Sequence, residues 1–289
     1  MNKRLLGYTI GLLLMTGCST MEDYERVIRS MDGLVTYWDF ADEDNPLCSD
    51  GPSSFTLSGD ETVSPSFVQE EGPLSGHSLC FDGHQYLSIP YAETGMLNVH
   101  TGEVTVVAWV KSRGNDNSFV AGMWNEYADG GKRQYGLFAS LPYYDGRRQV
   151  CGHISRNGGP TPPFPYSVDY SASAQLIPID EWCCIAFTYD GDSIRSYVDG
   201  VLGRRGPELV SHTAGFEGYP NGLVRARNPY PFADGIGDNG SDFTVGAVCL
   251  HSGMGNFYQG LIGGLAVYNR ALTSDELSAL AAFSGKSKK

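Results

Sequence analysis

Residues 124–170 bring aromatic, basic and acidic side chains together in one segment of the chain. A sugar presents apolar C–H faces edged by hydroxyl groups, so an aromatic ring can stack on a face while a polar side chain bonds an edge. Arginine can also hold a uronate or a sulfate through two hydrogen bonds. The residues predicted to bind carbohydrate are Trp124, Asn125, Tyr127, Arg133, Tyr143, Asp145, Arg147, Tyr166 and Tyr170. The alternative is that these aromatic rings pack a large loop onto the rest of the protein.

Glu126 and His153 form the titratable pair of the same segment, and catalysis needs such a pair within reach of one bond. A histidine or tyrosine base, with an arginine that neutralises the substrate carboxylate, would suit β-elimination from a uronate. A histidine on a strand is more often a packing residue. A polysaccharide lyase or glycoside hydrolase that uses Glu126 and His153 is therefore an alternative to simple binding, and a protein-interaction module is a third.

Other functional signatures are missing from the sequence or lack their context. Gly235–Gly240 matches G-x-G-x-x-G, but it leads into a strand, so no helix N-terminus is there to hold a phosphate. The chain has no G-x-S-x-G, no H-E-x-x-H and no spaced Cys/His zinc set. Its net charge of −13 argues against a nucleic-acid partner, which requires clustered Lys and Arg.

β-Strands must position the candidate residues. From Gly33 onward, short apolar runs alternate with Asp-Gly and proline turns, which is typical of an all-β protein and favours a two-sheet sandwich. The expected strands are Gly33–Phe40, Ser78–Phe81, Tyr86–Ile89, Glu103–Lys111, Tyr135–Ser140, Val150–Ser155, Trp182–Tyr189, Ser193–Val198, Asp242–Val248 and Gly260–Tyr268. Segments 112–134, 141–179 and 203–241 are expected to lie outside the core. One helix is expected, from the capping box of Thr273 and Glu276 to about Ala282.

Six of these elements, in order, resemble the laminin-G-like jelly roll of the concanavalin A-like lectin/glucanase superfamily. The opening strand is Gly33–Phe40, and Ser78–Pro90 is similar to L-x-F-D-G…Y-V-x-V-P. Glu103–Lys111 is similar to T-I-x-A-W-V-K, and Trp182–Leu202 to W-x-x-V-A-x-T-Y-D-G…L-Y-V-D-G. Gly260–Leu272 and the helix after it resemble F-x-G-x-I-D-E-V-x-I-Y-N-R-A-L-S-x-x-E. The resemblance implies an all-β, two-sheet antiparallel jelly-roll sandwich with one short C-terminal helix, a fold that hosts lectins, enzymes and adhesion modules.

Two departures from the superfamily bear on function. The paired-carboxylate strand E-x-D-x-x-E of its glucanases is missing, which argues against a retaining glucanase of that type. Gly263 and Gly264 stand where the family usually has Asp-Glu, which weakens a calcium site there. The sequence therefore indicates no definite cofactor. Asp39, Asp42 and Asp44 could still supply oxygen ligands for calcium, and the alternative is that they form a solvated acidic loop.

The N-terminus has the form of an export signal. The basic start Met1–Arg4 is followed by an apolar run from Leu5 to Thr16, which is too short for a membrane-spanning helix. The run ends in Leu-Met-Thr-Gly-Cys, which resembles a bacterial lipobox and predicts cleavage before Cys18 and lipidation of its thiol. We thus expect a lipoprotein signal peptide over residues 1–17, a lipid-anchored polar tether over 18–31 and the sandwich domain over 32–289.

The predicted anchor limits where partners are met. Ser19, rather than aspartate, follows the cysteine and indicates the outer membrane, with either leaflet possible. The expected partners are a polysaccharide or oligosaccharide, the membrane through the lipid alone, and outer-membrane proteins. In an exported chain the remaining six cysteines permit up to three disulfides, and we expect buried thiols together with one or two disulfides. Cys183 and Cys184 are adjacent on a predicted strand and should face opposite sides.

Overall fold

The structure is a computed structural model that describes residues 21–126, 130–141, 147–162, 166–206, 209–210, 223–224 and 227–285. Its helices are α1 (Met21–Ser30) and α2 (Ser274–Ala281), and short 3-10 turns span Tyr91–Glu93 and Gly95–Leu97. Its strands are β1 (Leu34–Trp38), β2 (Ser66–Val68), β3 (Ser78–Asp82), β4 (Leu87–Ile89), β5 (Val104–Ser112), β6 (Ser118–Met123), β7 (Tyr135–Ser140), β8 (Gln149–Ile154), β9 (Tyr170–Leu176), β10 (Trp182–Tyr189), β11 (Ser193–Val198), β12 (Val201–Leu202), β13 (Leu209–Val210), β14 (Leu223–Val224), β15 (Tyr230–Pro231), β16 (Phe243–Val245), β17 (Val248–Leu250), β18 (Gly253–Gly255) and β19 (Gln259–Tyr268).

The strands form two large antiparallel sheets that pack face to face. The nine-stranded sheet has the order β12-β11-β10-β5-β19-β3-β2, with β1 beside β19 and β15 beside β11. The six-stranded sheet has the order β4-β16-β6-β7-β8-β9. Crossovers between strands distant in sequence produce these orders, so the predicted two-sheet jelly-roll sandwich is confirmed.

The main core lies between the sheets and follows the alternation of side chains along each strand. On β10, Ile185 and Phe187 face the six-stranded sheet, whereas Cys184 and Ala186 face the opposite side. Its neighbour β5 lies centrally between β10 and β19 and is buried on both faces, as the uninterrupted apolar run of this strand predicts. Alternate side chains of each central strand therefore belong to the inter-sheet core, and those between them face the outer layers.

The two helices cover the outer face of the nine-stranded sheet. Trp109 of β5 donates its indole N–H to the carbonyl of Leu280 in α2 over 3.2 Å. Helix α2 begins with the predicted capping box, in which the Thr273 side chain accepts from the backbone of Glu276 and Glu276 reaches back to Thr273. The Glu276 carboxylate also accepts from Arg270 over 2.6 Å, which ties the start of the helix to the end of β19.

Helix α1 differs from the polar tether expected for residues 18–31. Tyr24, Ile28 and Met31 are buried and pack against the same outer face as α2. The Tyr24 hydroxyl donates to Asp39 over 2.7 Å, and the Tyr268 hydroxyl donates to the Ile28 carbonyl over 3.2 Å. These three apolar residues recur at the spacing of one helical face, but the charged residues between them dominate the local composition. The stretch is therefore a packed element, and the fold has a second helix beyond the predicted C-terminal one. Cys18 and the predicted signal peptide lie outside the described residues.

Two segments expected outside the core contain buried strands. Strand β6 lies within 112–134 and β9 within 141–179. Ser171 and Ser173 of β9 are buried, and the Ser171 hydroxyl lies 2.6 Å from that of Ser196 on β11. Small polar residues with partners of this kind can occupy an interior position, but they hide the apolar alternation that identifies a strand in sequence.

The predicted disulfides are absent from the part of the chain that the structure describes. Cys48, Cys80, Cys151, Cys183, Cys184 and Cys249 are all thiols. Cys183 faces the inter-sheet core and Cys184 the helices, so the expectation that these two point to opposite sides is confirmed. Cys151 belongs to a third cluster, on the outer face of the six-stranded sheet. The buried cysteines are thus distributed over three different layers and serve as small apolar packing residues.

Gly263 and Gly264, which stand where the superfamily usually has Asp-Glu, have a packing role. A Cβ on Gly264 would lie 2.4 Å from the Leu74 side chain and 2.9 Å from the Trp109 ring. A Cβ on Gly263 would meet Pro73 and Trp182 at similarly short distances. Among the described residues, no group of three or more His, Cys, Asp or Glu is arranged to hold a metal ion. The Asp39 and Asp42 carboxylates each accept backbone N–H groups of their own loop.

Candidate functional site

A pocket of about 420 Å³ opens on the outer face of the six-stranded sheet, opposite the face that packs on the core. Its volume falls within the range of roughly 300–1,000 Å³ that is usual for small-molecule sites. The described residues that line it are Asn117, Trp124, Glu126, Arg133, Phe138, Leu141, His153, Tyr166, Ser167, Tyr170, Leu250, His251, Ser252 and Asn256.

Three neighbouring strands supply the floor of the pocket. Phe138 on β7, His153 on β8 and Tyr170 on β9 project from the same face because each occupies an outward position of its strand. The His153 ring lies 4.8 Å from the Tyr170 ring and 5.1 Å from the Phe138 ring, measured between centroids. Side-by-side strands therefore form a continuous aromatic floor with one imidazole in its middle.

A glycine makes room for the fourth ring of the floor. Gly136 is paired directly with His153 across β7 and β8. The Trp124 ring lies above this glycine, where a Cβ would be 3.6 Å from it and 3.2 Å from the Phe119 and Phe138 rings. The Trp124 ring thereby comes to 4.9 Å from the His153 ring. A larger side chain at position 136 would compete with Trp124 for this space.

A hydrogen-bonded chain of three side chains forms one wall. The Trp124 indole N–H donates to Oε1 of Glu126 over 2.9 Å. The other carboxylate oxygen, Oε2, lies 3.3 Å from Nη2 of Arg133. Nη1 of Arg133 donates to the carbonyl of Gly158 over 3.2 Å. Both oxygens of Glu126 and two of the three Arg133 nitrogens are therefore engaged within the protein.

Burial shifts the pKa values of Arg133 in this wall and His153 in the floor. Burial lowers the pKa of the Arg133 guanidinium, and the Glu126 carboxylate opposes that shift. Burial, and secondly the charge of Arg133, lower the pKa of His153 to about 3, so its imidazole is neutral at physiological pH. Nδ1 of His153 and Nε of Arg133 are buried without a hydrogen-bond partner among the described residues. Such atoms are rare in folded proteins and suit a site where a ligand or water completes the hydrogen bonding.

Loops and a β-hairpin form the rim. The β17–β18 hairpin is held beside the wall because Glu126 donates its backbone N–H to Cys249 over 2.8 Å. Tyr166 is 45% exposed, and its backbone carbonyl accepts from Thr161 over 3.0 Å. The Thr161 hydroxyl donates to Asp169, whose carboxylate also accepts from Tyr230. These contacts fix the backbone around Tyr166 while its ring remains open to solvent.

The structure brings six of the predicted site residues to this pocket: Trp124, Glu126, Arg133, His153, Tyr166 and Tyr170. Trp124 and Tyr170 are each 1% exposed and belong to the packed floor, whereas Tyr166 is 45% exposed. Asn125 and Arg147 are not among the lining residues. Asn125 lies beside the wall, and Arg147 forms an exposed pair at 3.3 Å with Asp116, the neighbour of the lining residue Asn117. Tyr127, Tyr143 and Asp145 lie outside the described residues.

Sequence reasoning missed more than half of the lining. The residues not foreseen are Asn117, Phe138, Leu141, Ser167, Leu250, His251, Ser252 and Asn256. Phe138 lies on a predicted strand. The alternation of side chains along that strand would have placed it on the face that points away from the core. The hairpin residues carry no such signal, because only the return of the chain about a hundred residues later brings them beside Trp124.

Within the described residues, no helix is both long and apolar enough to cross a bilayer.

Comparison with known proteins agrees with this architecture. Residues 81–215 match the family model described as the Concanavalin A-like lectin/glucanases superfamily, which confirms the family resemblance over this part of the chain. No curated protein matches the chain.

Two solved structures are similar to this chain at low sequence identity. Domain 4 of AbnA, an extracellular GH43 arabinanase from Geobacillus stearothermophilus in complex with arabinotriose, is 17% identical, with a TM-score of 0.52 over 86% of this chain and 98% of that chain. The CBM40 domain of the Ruminococcus gnavus IT-sialidase bound to α2,3-sialyllactose is 13% identical, with a TM-score of 0.48 over 75% of this chain and 99% of that chain.

Proposed function

With residues 81–215 matching the concanavalin A-like lectin/glucanase superfamily, we propose that the protein binds carbohydrate in the pocket on its six-stranded sheet. The observation that carries the proposal is the composition of the pocket. Aromatic rings form its floor and rim, while buried polar atoms of Arg133 and His153 have no partner among the described residues. A sugar offers the matching combination of apolar faces and hydroxyl groups.

A glycan array followed by isothermal titration calorimetry of residues 19–289 tests the proposal. Arabinotriose is a rational first probe because the arabinanase domain of the same fold was solved with it. We expect saturable binding of at least one oligosaccharide, weakened by substitution of Tyr166. A folded sample that binds none of the glycans on the array would overturn the proposal.

We further propose that the protein is an outer-membrane lipoprotein anchored through Cys18, so that the glycan is met at the cell envelope. Helix α1 starts at Met21, three residues after Cys18, and packs on the nine-stranded sheet. The pocket lies on the outer face of the other sheet. An anchor at this end of the chain therefore leaves the pocket directed away from the membrane.

Metabolic labelling with a radioactive fatty acid tests the anchor. We expect label in the wild-type protein and none in the Cys18→Ala variant, which should leave the membrane fraction. Protease treatment of intact cells then distinguishes the surface leaflet from the periplasmic one. Equal labelling of the two proteins would contradict lipidation at Cys18.

A polysaccharide lyase or glycoside hydrolase is the second candidate, because Glu126, Arg133 and His153 converge on the same pocket. The geometry favours binding over turnover. A general base works best when its pKa lies near the working pH, whereas that of His153 is about 3. Glu126 already accepts from Trp124 and pairs with Arg133. Incubation with neutral and uronate-rich polysaccharides should yield no shortened products, and turnover that His153→Ala abolishes would establish the enzyme instead.

A further inference from the structure

We propose that the pocket selects uncharged glycans and that Glu126 is the residue that rejects acidic ones. This inference rests on the proposed carbohydrate binding and names the class of sugar that the same site accepts. It starts from an apparent contradiction. A buried arginine in a glycan pocket suggests a clamp for a uronate, a sialic acid or a sulfate, yet the guanidinium of Arg133 is already neutralised inside the protein.

The partners and the burial of Arg133 disfavour a bidentate contact with an anionic ligand. Nη2 lies 3.3 Å from the Glu126 carboxylate, and Nη1 donates to the Gly158 carbonyl over 3.2 Å. The side chain is only 3% exposed, so a ligand carboxylate must compete with these partners to reach two parallel N–H groups of the guanidinium.

Glu126 cannot be displaced easily. Its Oε1 accepts from the Trp124 indole over 2.9 Å, and its backbone N–H donates to Cys249. The Trp124 ring itself is 1% exposed and held between Phe138 and His153. Glu126 therefore stays in the wall. Because it lines the pocket, its negative charge repels the negative charge of an acidic ligand bound there.

No other described lining residue supplies a compensating charge to the buried part of the pocket. His153 is neutral there, and His251 stands at the exposed rim. The whole chain has a net charge of −13. The charges of Glu126 and Arg133 therefore balance within the described lining, and the acidic chain around them disfavours an anionic ligand.

An uncharged sugar meets none of these costs. Nε of Arg133 can donate to a hydroxyl oxygen, and Nδ1 of His153 can exchange a hydrogen bond with a second hydroxyl. Tyr166 is 45% exposed at the rim, where the accessible part of its side chain can contact a C–H face. A neutral ligand therefore satisfies the buried polar atoms and leaves the Glu126–Arg133 pair intact.

The first experiment compares matched sugars on the wild-type protein by isothermal titration calorimetry. Gluco-, galacto- and manno-oligosaccharides are paired with the glucuronate, galacturonate and mannuronate oligosaccharides of the same length, and lactose is paired with sialyllactose. Arabinotriose is included as a further neutral probe. We expect the neutral member of any pair that binds to be preferred by about tenfold or more at moderate ionic strength.

The second experiment uses Glu126→Gln, which keeps the acceptor for the Trp124 indole but leaves Arg133 without a counter-charge. We expect the ratio of its affinity for uronate oligosaccharides to its affinity for the matched neutral ones to rise about tenfold over that of the wild-type protein. Glu71→Gln is the control. It removes the same charge from an ion pair of 2.7 Å with Lys111 of β5, outside the pocket lining, so it should leave this ratio unchanged.

The outcomes separate this inference from the function on which it rests. Preference of the wild-type protein for an acidic oligosaccharide would overturn the selectivity while carbohydrate binding stands. A folded Glu126→Gln variant in which the uronate-to-neutral affinity ratio does not rise would overturn the role of Glu126. No binding to any probe or to the glycan array would overturn both proposals. If Glu126→Gln does not fold, the wild-type comparison still decides the selectivity.

Discussion

The indole N–H of Trp124 donates to the carboxylate of Glu126, so that the largest ring of the pocket and its acidic wall residue form one unit. The same carboxylate pairs with Arg133, and the ring packs against His153. A change at any of these residues is therefore expected to affect both the packing and the charge of the pocket. Residues at the edge of this unit, such as Tyr166, can be changed with less effect on its packing and charge.

Tyr166→Ala should weaken glycan binding and hardly change stability. The ring is 45% exposed at the rim, so its removal leaves little cavity, but it takes away a stacking surface worth about 0.5–1.5 kcal/mol. We expect a several-fold rise in Kd by calorimetry and an unfolding free energy within about 0.5 kcal/mol of wild type. Tyr91→Ala, at an exposed tyrosine outside the pocket lining, should not change Kd. An unchanged Kd for Tyr166→Ala would place the sugar elsewhere.

His153 should make the protein lose stability as the pH falls below neutrality. Its pKa is about 3 in the folded protein against an ordinary value of 6.5, so the unfolded chain takes up the proton first. The contribution is complete above about pH 6.5 and declines towards pH 3, by at most about 1.4 kcal/mol per pH unit.

Urea unfolding at pH 7.5 and pH 5 measures this effect. His153→Gln, which cannot titrate, should show a smaller loss between the two pH values than the wild-type protein does. His84→Gln, at an exposed histidine, serves as the control and should follow wild type. Parallel losses in wild type and His153→Gln would show that His153 does not resist protonation.

Ile28→Ala should destabilise the whole domain, although residue 28 belongs to the stretch that the sequence presents as a tether. Its side chain is fully buried between α1 and the nine-stranded sheet. Removing it should cost about 2–4 kcal/mol in the free energy of unfolding, measured with chemical denaturant. Arg26→Ala, on the exposed side of the same helix, should cost less than about 0.5 kcal/mol. If Ile28→Ala unfolded with the same free energy as the wild-type protein, α1 would not be part of the cooperative folding unit.

The cysteines from Cys48 to Cys249 should behave as thiols. In denatured, unreduced protein that begins at residue 19, a thiol reagent should label Cys48, Cys80, Cys151, Cys183, Cys184 and Cys249. In the native protein Cys48 should react first because it is exposed, whereas burial raises the pKa of Cys151 and keeps it unreactive. Mass spectrometry counts the labels. Fewer than six labels before reduction, restored to six after it, would reveal a disulfide.

The sequence alone was sufficient for the sandwich, because strand patterns, Asp-Gly turns and the capping box of Thr273 and Glu276 are local signals. It was also sufficient to select the segment that carries Trp124, Glu126, Arg133 and His153, since an unusual concentration of aromatic and charged residues is visible without a structure. It was insufficient for β9, where Ser171 and Ser173 conceal the alternation, and for α1, where charged residues conceal the buried face of Ile28. In both cases the residue composition is polar, although the element is packed against the core of the protein.

Only the tertiary structure determined which contacts the selected residues make. Gly136 lies opposite His153 across two strands, and that pairing creates the space for the Trp124 ring. The β17–β18 hairpin reaches the pocket through a contact between Glu126 and Cys249, which are more than a hundred residues apart. Residue types specify which interactions a side chain can make, but register, burial and long-range contacts decide which partner it meets. For Arg133, that partner is Glu126.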